Sequence, residues 1–148
     1  MSRLVSKEKV EGYFATLGKL PLTTQVTDLS GKSISLDEAI DQMMQRSIKT
    51  HETGKKLIFI GNGGSSAIAS HMAIDYWKNG GIRSTSFNDA SLLTCISNDF
   101  GYEQVFAKPI QMQAQEEDLL IAISSSGKSP NILKGVEAAR NQKCSVIT

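Results

Sequence analysis

Read for the spacing of its apolar positions, the chain changes rhythm once, near residue 55. Before that point apolar residues recur at helical intervals. A first helix is predicted near residues 7–20, closed by Pro21 and followed by the polar turn TDLSGKS. A longer amphipathic helix follows in SLDEAIDQMMQRSIKTHETGKK, with Ser35 as its cap and Glu38 at the capping-box position. Leu36, Ile40, Met43, Met44 and Ile48 make an apolar stripe along it, which suits either a core face or a contact between copies of the chain.

From Lys56 onward short apolar runs alternate with helical stretches. Strands are predicted at 57–60, 83–87, 119–123 and 144–147, and helices at 65–78, 90–97, 102–113 and 130–141. The run at 119–123 carries no charge, as expected of a strand buried on both faces. Such alternation predicts an α/β fold, a parallel sheet with helices on both faces. Residues 1–54 then form an N-terminal helical segment and residues 55–148 the core. The last residues, SVIT, stop inside an apparent strand, and we expect further residues of the domain beyond them.

Composition narrows the function classes. Hydrophobic residues are 40% of the 148 and charged residues 21%, ordinary for a globular domain. Formal net charge is +1 and no basic cluster stands out, so neither nucleic acid nor an anionic membrane surface is an expected partner. No apolar run approaches the roughly 20 residues needed to span a bilayer. The charged opening MSRLVSKEKVEG is unlike a secretory signal, so a cytoplasmic protein is expected. Both cysteines, Cys95 and Cys144, lie in apolar segments and are expected to be buried reduced thiols.

Two turns carry the candidate chemistry, each after a predicted strand and before a predicted helix. The first, GNGGSS at 61–66, lets the backbone turn sharply and approach a ligand closely. The helix start after it offers unpaired N–H groups to an anion. A dinucleotide fingerprint would need glycine where Ser66 stands, and the P-loop tail is absent. The second, ISSSGKSPN at 123–131, places Ser124, Ser125 and Ser126 at the end of the buried strand. Ser129 suits the helix cap and Pro130 the first helical position. Hydroxyls beside backbone N–H groups suit a phosphate monoester.

On the first helix His71 and Asp75, four apart, share a face. They suit a metal or a shared proton, and equally a local polar contact. Asn98 and Asp99, in ISNDFGYEQVF, suit either sugar hydroxyls or a backbone turn.

Together GNGGSSAIASH, ISNDFGYEQVFA and ISSSGKSPNILKGVEAAR resemble the sugar isomerase (SIS) domain family, and within it the phosphoheptose isomerases, over roughly residues 36–148. The resemblance implies a three-layer, flavodoxin-like parallel sheet behind a helical segment used in assembly. It implies homotetramers or homodimers with active sites at subunit contacts. By motif, Asn62, Gly63, Gly64, Asn98 and Asp99 match substrate contacts, and Ser124, Ser125, Ser126 and Ser129 match the phosphate loop. His71 falls on a metal ligand, usually zinc. Asp75 falls where the heptose isomerases carry a glutamate that binds metal and moves a proton, and it is shorter by one methylene, roughly 1.5 Å. The family's other ligands, a glutamine and a histidine, match nothing in this sequence, and His51 sits before the first strand.

The function the resemblance implies is an aldose–ketose isomerase converting sedoheptulose 7-phosphate to a heptose 7-phosphate for surface-polysaccharide (lipopolysaccharide) synthesis. A non-catalytic SIS module that binds a sugar phosphate and regulates a protein partner is the alternative. A Rossmann-like nucleotide binder is disfavoured by Ser66.

Overall fold

The computed structural model describes residues 5–148. The chain divides between Met44 and Gln45 into two compact units. The first contains helix α1 (Lys7–Thr23), a two-stranded antiparallel hairpin of β1 (Val26–Thr27) and β2 (Ser33–Ile34), and the start of α2 (Leu36–Glu52).

Helix α1 runs through Pro21 instead of ending before it. Pro21 lies in the last turn, where it removes the single N–H that would serve the Leu17 carbonyl and the helix continues only two residues beyond it. The hydroxyls of Thr23 and Thr24 donate back to the carbonyl of Leu20, at 3.2 and 3.0 Å, and so satisfy part of that open end. The segment TDLSGKS, expected as a plain turn, closes the hairpin through Asp28. Its carboxylate accepts from Ser30 N, Ser30 Oγ and Lys32 N at 2.8, 2.7 and 3.0 Å. These bonds, the Ser30 hydroxyl first, hold the Asp28 carboxyl below the usual aspartate range.

Ser35 caps α2 by accepting from Glu38 N at 3.3 Å. The reciprocal half of a capping box is absent, because Glu38 Oε1 accepts from Gln42 Nε2 one turn on. The apolar stripe of α2 is not a core face within this chain: Ile40, Met44 and Ile48 are exposed.

The second unit is built on a parallel sheet in the order β4-β3-β5-β6, from β3 (Leu57–Gly61), β4 (Ser84–Ser86), β5 (Leu119–Ile123) and β6 (Ser145–Ile147). The connecting helices are α3 (Gly64–Lys78), α4 (Ala90–Phe100), α5 (Ala107–Gln113) and α6 (Pro130–Asn141). Strand periodicity sorts the two central strands between the faces. Ile58, Ile60, Leu120 and Ala122 join Val105, Phe106, Ile110, Ile132 and Ala139 in one core cluster. Leu57, Phe59, Leu119 and Ile121 alternate with them, and Phe59 meets Tyr76 of α3 with ring centroids 5.4 Å apart.

The expected helix at 102–113 is two pieces: a 3₁₀ turn, Tyr102–Gln104, and then α5. Pro109 explains the break, since proline is best tolerated in a helix's first turn and α5 restarts two residues before it. Helix α4 runs three residues further than expected and ends at Gly101, at φ 86°.

The cysteines divide. Cys144 is buried and Cys95 is exposed, which corrects the expectation for Cys95. Helix α4 turns Leu92, Leu93 and Ile96 toward the core and so leaves Cys95 outside. Burial, with the nearby charge of Asp118, pushes the Cys144 thiol up to about 11. A thiol reagent at neutral pH is therefore expected to modify Cys95 and to spare Cys144 until the protein is unfolded in urea. Peptide mass analysis before and after denaturation checks this. Equal early labelling would contradict the packing around Cys144.

Among the described residues no helix is long and apolar enough to cross a membrane.

Candidate functional site

In a parallel α/β sheet ligands bind beyond the carboxyl ends of the strands. Strands β3 and β5 are neighbours in register, Gly61 beside Ile123, so both candidate turns leave the sheet side by side.

The glycine bend is shaped by two different constraints. At Gly61 a Cβ would stand 2.5 Å from the backbone oxygen of Ser65, so only glycine lets α3 start this close to the strand. Gly63, at φ 52° and ψ −121°, caps the helix in a conformation L side chains rarely adopt. Among the described residues no carbonyl accepts from the amides of Gly64 and Ser65, which open α3. These N–H groups and the helix dipole favour an anion.

The serine loop is organised by its own hydroxyls. Ser124 Oγ accepts from Gly127 N at 3.1 Å, and Ser126 Oγ accepts from Lys128 N at 3.2 Å. Each oxygen is thus bound to the loop while its hydrogen remains to be donated outward. Ser129 caps α6 by backbone only, with no side-chain cap bond, so its hydroxyl is likewise uncommitted. Ser125 is exposed at the tip.

The two turns are joined by a residue that the sequence reading passed over. Asn62 Nδ2 donates to Asn131 Oδ1 at 2.9 Å, and Asn131 Nδ2 donates back to Asn62 Oδ1 at 2.8 Å. Asn131, 69 positions away on the first turn of α6, is 2% exposed. The only signal for it was a short polar side chain just after Ser-Pro at a helix start. Tyr102, also unforeseen, places its hydroxyl 3.4 Å from Asn62 Oδ1, at the edge of hydrogen-bond range. Tyr102 and Asn98 line an open hollow of about 360 Å³ with Leu93, Thr94 and Ser97. Glu103, next in the chain, pairs with Lys134 of α6.

Asn98 and Asp99 lie in the last turn of α4, not in a loop, and Asn98 Nδ2 donates to Asp99 Oδ1 at 2.9 Å. A carboxylate at the negative end of a helix dipole gains nothing in stability from that position.

His71 Nε2 and Asp75 Oδ2 are 3.2 Å apart, and Asp75 Oδ1 accepts from Asn79 Nδ2 at 3.1 Å. The pair, with His71 exposed and Asp75 half-buried, stands further along α3 than the bend. It lies roughly 10 Å and 16 Å along the helix axis from Gly64, at about 1.5 Å of rise per residue. As zinc ligands the two would be half of a tetrahedral set. Among the described residues no group of three or more His, Cys, Asp or Glu side chains could hold a metal, so they do not by themselves make a zinc site. His51 accepts from Arg83 N at 3.2 Å, committed to the start of β4.

A model of the SIS domain matches residues 25–148. The phosphoheptose isomerase of Serratia proteamaculans is 39% identical over 132 residues, covering 84% of this chain and 68% of that protein. That of Helicobacter pylori strain P12 is 40% identical over 113 residues, covering 72% and 59%. The chain thus spans about three fifths to two thirds of the length of these relatives. The solved phosphoheptose isomerase of Neisseria gonorrhoeae superposes with a TM-score of 0.79 at 28% identity, over 95% of this chain and 72% of that one. That of Francisella tularensis gives 0.80 at 26%, over 97% and 74%. A parallel sheet flanked by helices and preceded in the chain by an N-terminal helix is the fold they share, and the chain belongs to the SIS-domain family.

Proposed function

We propose that the protein is a sugar-phosphate aldose–ketose isomerase, converting sedoheptulose 7-phosphate to heptose 7-phosphate. What supports this reading is membership of the SIS family, the names of its relatives, and above all the Asn62–Asn131 pair, which draws the glycine bend and the serine loop into one donor-rich cradle. The hydroxyls of Ser124, Ser125, Ser126 and Ser129 and the amides of Gly63 and Gly64 hold the phosphate. Asn98 and Asp99 meet sugar hydroxyls.

Asp75 is assigned the proton transfer. Its carboxylate takes the proton from C1 of the ketose; that C–H pair becomes the C1–C2 double bond of an enediol, and an acid protonates O2. The proton returns to C2 as O1–H is lost and the aldehyde forms. His71 holds the carboxylate by an i,i+4 contact. Zinc, which the family implies, would take His71 and Asp75 as two of its ligands, and no step here depends on it. The exposed Val10, Tyr13, Phe14, Leu17 and Leu20 of α1 are read as assembly contacts of a homotetramer or homodimer.

The deciding experiment is turnover of sedoheptulose 7-phosphate followed by product analysis. Asp75→Ala is expected to lower kcat by at least about 10²-fold, the scale of a lost acid–base group, while phosphate affinity stays within a few-fold. Equal loss of both would make Asp75 structural. The alternative reading is a non-catalytic module that binds the sugar phosphate and regulates a protein partner. It predicts a raised Tm with sugar phosphate and no turnover.

A further inference from the structure

We propose that Asn131 is a positioning residue of the sugar-phosphate site, acting through Asn62. This rests on the reading above that the cradle binds a sugar phosphate. The orientation of the Asn131 amide is set by the backbone. Ile132 N donates to Asn131 Oδ1 at 3.0 Å, so the oxygen must face that amide and Nδ2 must face Asn62. The reciprocal bonds then dictate the orientation of Asn62 as well: its Nδ2 faces Asn131 Oδ1 and its Oδ1 faces Asn131 Nδ2. One N–H, buried and 70 positions from the bend, thereby settles which atom of Asn62 points where.

The consequence is chemical. Asn62 Oδ1 has two lone-pair directions, one accepting from Asn131 and the other facing the Tyr102 hydroxyl. Of the two hydrogens on Asn62 Nδ2, one goes to Asn131. Asn62 therefore presents a single remaining N–H to the cradle and no free acceptor. It can donate to a phosphate or hydroxyl oxygen, but it does not accept from a sugar hydroxyl. Free to rotate, the same amide would offer either end, and half of its orientations would turn an oxygen toward the anion. Asn131 makes the Asn62 amide a donor toward the cradle. At 2% exposure it leaves no room for water to take its place in that pairing.

Sedoheptulose 7-phosphate affinity measured by calorimetry on the full chain tests this with Asn62→Ala, Asn131→Ala and the double variant. Each single change is expected to weaken binding about 10-fold or more, and the double variant to bind within about twofold of the weaker single, since partners in one network are non-additive. Wild-type affinity in Asn131→Ala, or losses that multiply in the double variant, would overturn the assignment. In that case the isomerase reading stands. If wild-type protein binds no sugar phosphate, both fall together. Should the variants unfold, the wild type alone decides through its ¹⁵N-labelled asparagine side chains. The Asn62 and Asn131 amides should exchange slowly, and one of the two Asn62 protons should shift when sedoheptulose 7-phosphate is added. Exchange as fast as that of an exposed asparagine would refute the positioning role.

Discussion

Asp118→Ala is expected to destabilise the protein by about 3–5 kcal/mol, the range for removing one partner of a buried ion pair. Asp118 is fully buried just before β5. Its carboxylate accepts from Lys56 N at 2.9 Å, from Lys56 Nζ at 2.6 Å and from Gln115 N at 2.8 Å. Lys56 stands just before β3, so the pair fastens the two central strands at their starts. Leu119 N donating to Lys56 O and Ser145 N donating to Asp118 O continue the same seam. Alanine would strip two backbone amides of their acceptor and leave an ammonium whose side chain is only 23% exposed. Each of those losses alone costs about 1–3 kcal/mol. Urea unfolding should show a lower midpoint with an unchanged slope, and Tm should fall by about 10–15 °C. The site lies at the opposite end of the strands, so sugar-phosphate affinity of the folded fraction should be unaltered. A variant with wild-type stability would show that water replaces the carboxylate.

That seam was invisible in the sequence, although the strands it joins were plain. Residues 119–123 and the helix at 130–141 match the structure to the residue, because the first is an uninterrupted apolar run and the second is introduced by Ser-Pro. The misreadings share a physical origin, in that local pattern is silent about tertiary partners. Pro21 reads as a terminator, but the helix runs two residues past it and ends where the hydroxyls of Thr23 and Thr24 donate to the Leu20 carbonyl. Cys95 sits among apolar letters, yet the helix phase places it outside.

The site was legible as types and not as contacts. Glycines and serines after two strands pointed to an anion cradle. What holds the two turns together is one amide pair 69 positions apart, and no spacing rule reaches that far. His71 and Asp75 are in contact as their i,i+4 spacing required, and what they act upon lies outside that spacing's reach.

The three glycines of the bend should separate stability from binding. Gly61→Ala is expected to cost about 1–3 kcal/mol, as overpacking does. Its Cβ would meet the Ser65 backbone oxygen at 2.5 Å and carbonyl carbon at 2.6 Å, and backbone cannot swing aside as a side chain can. Relief requires the start of α3 to move off β3, which drags Asn62 from Asn131, so sugar-phosphate affinity should fall along with Tm. Gly63→Ala meets no atom within 4 Å but must hold φ near 52°, a strain of about 1–3 kcal/mol. Gly64→Ala meets neither obstacle: it has open space and an ordinary φ at the first helical position. Alanine there should leave Tm unchanged or slightly raised, since it restricts the unfolded chain. Its methyl group would nevertheless stand beside the unpaired amides where the phosphate is proposed to sit. Loss of sugar-phosphate affinity at constant Tm in Gly64→Ala, beside combined loss in Gly61→Ala, is the expected pair of results. Undiminished affinity in Gly64→Ala would mean that the ligand does not approach the backbone of the bend, and the phosphate would have to be assigned to the serine loop alone.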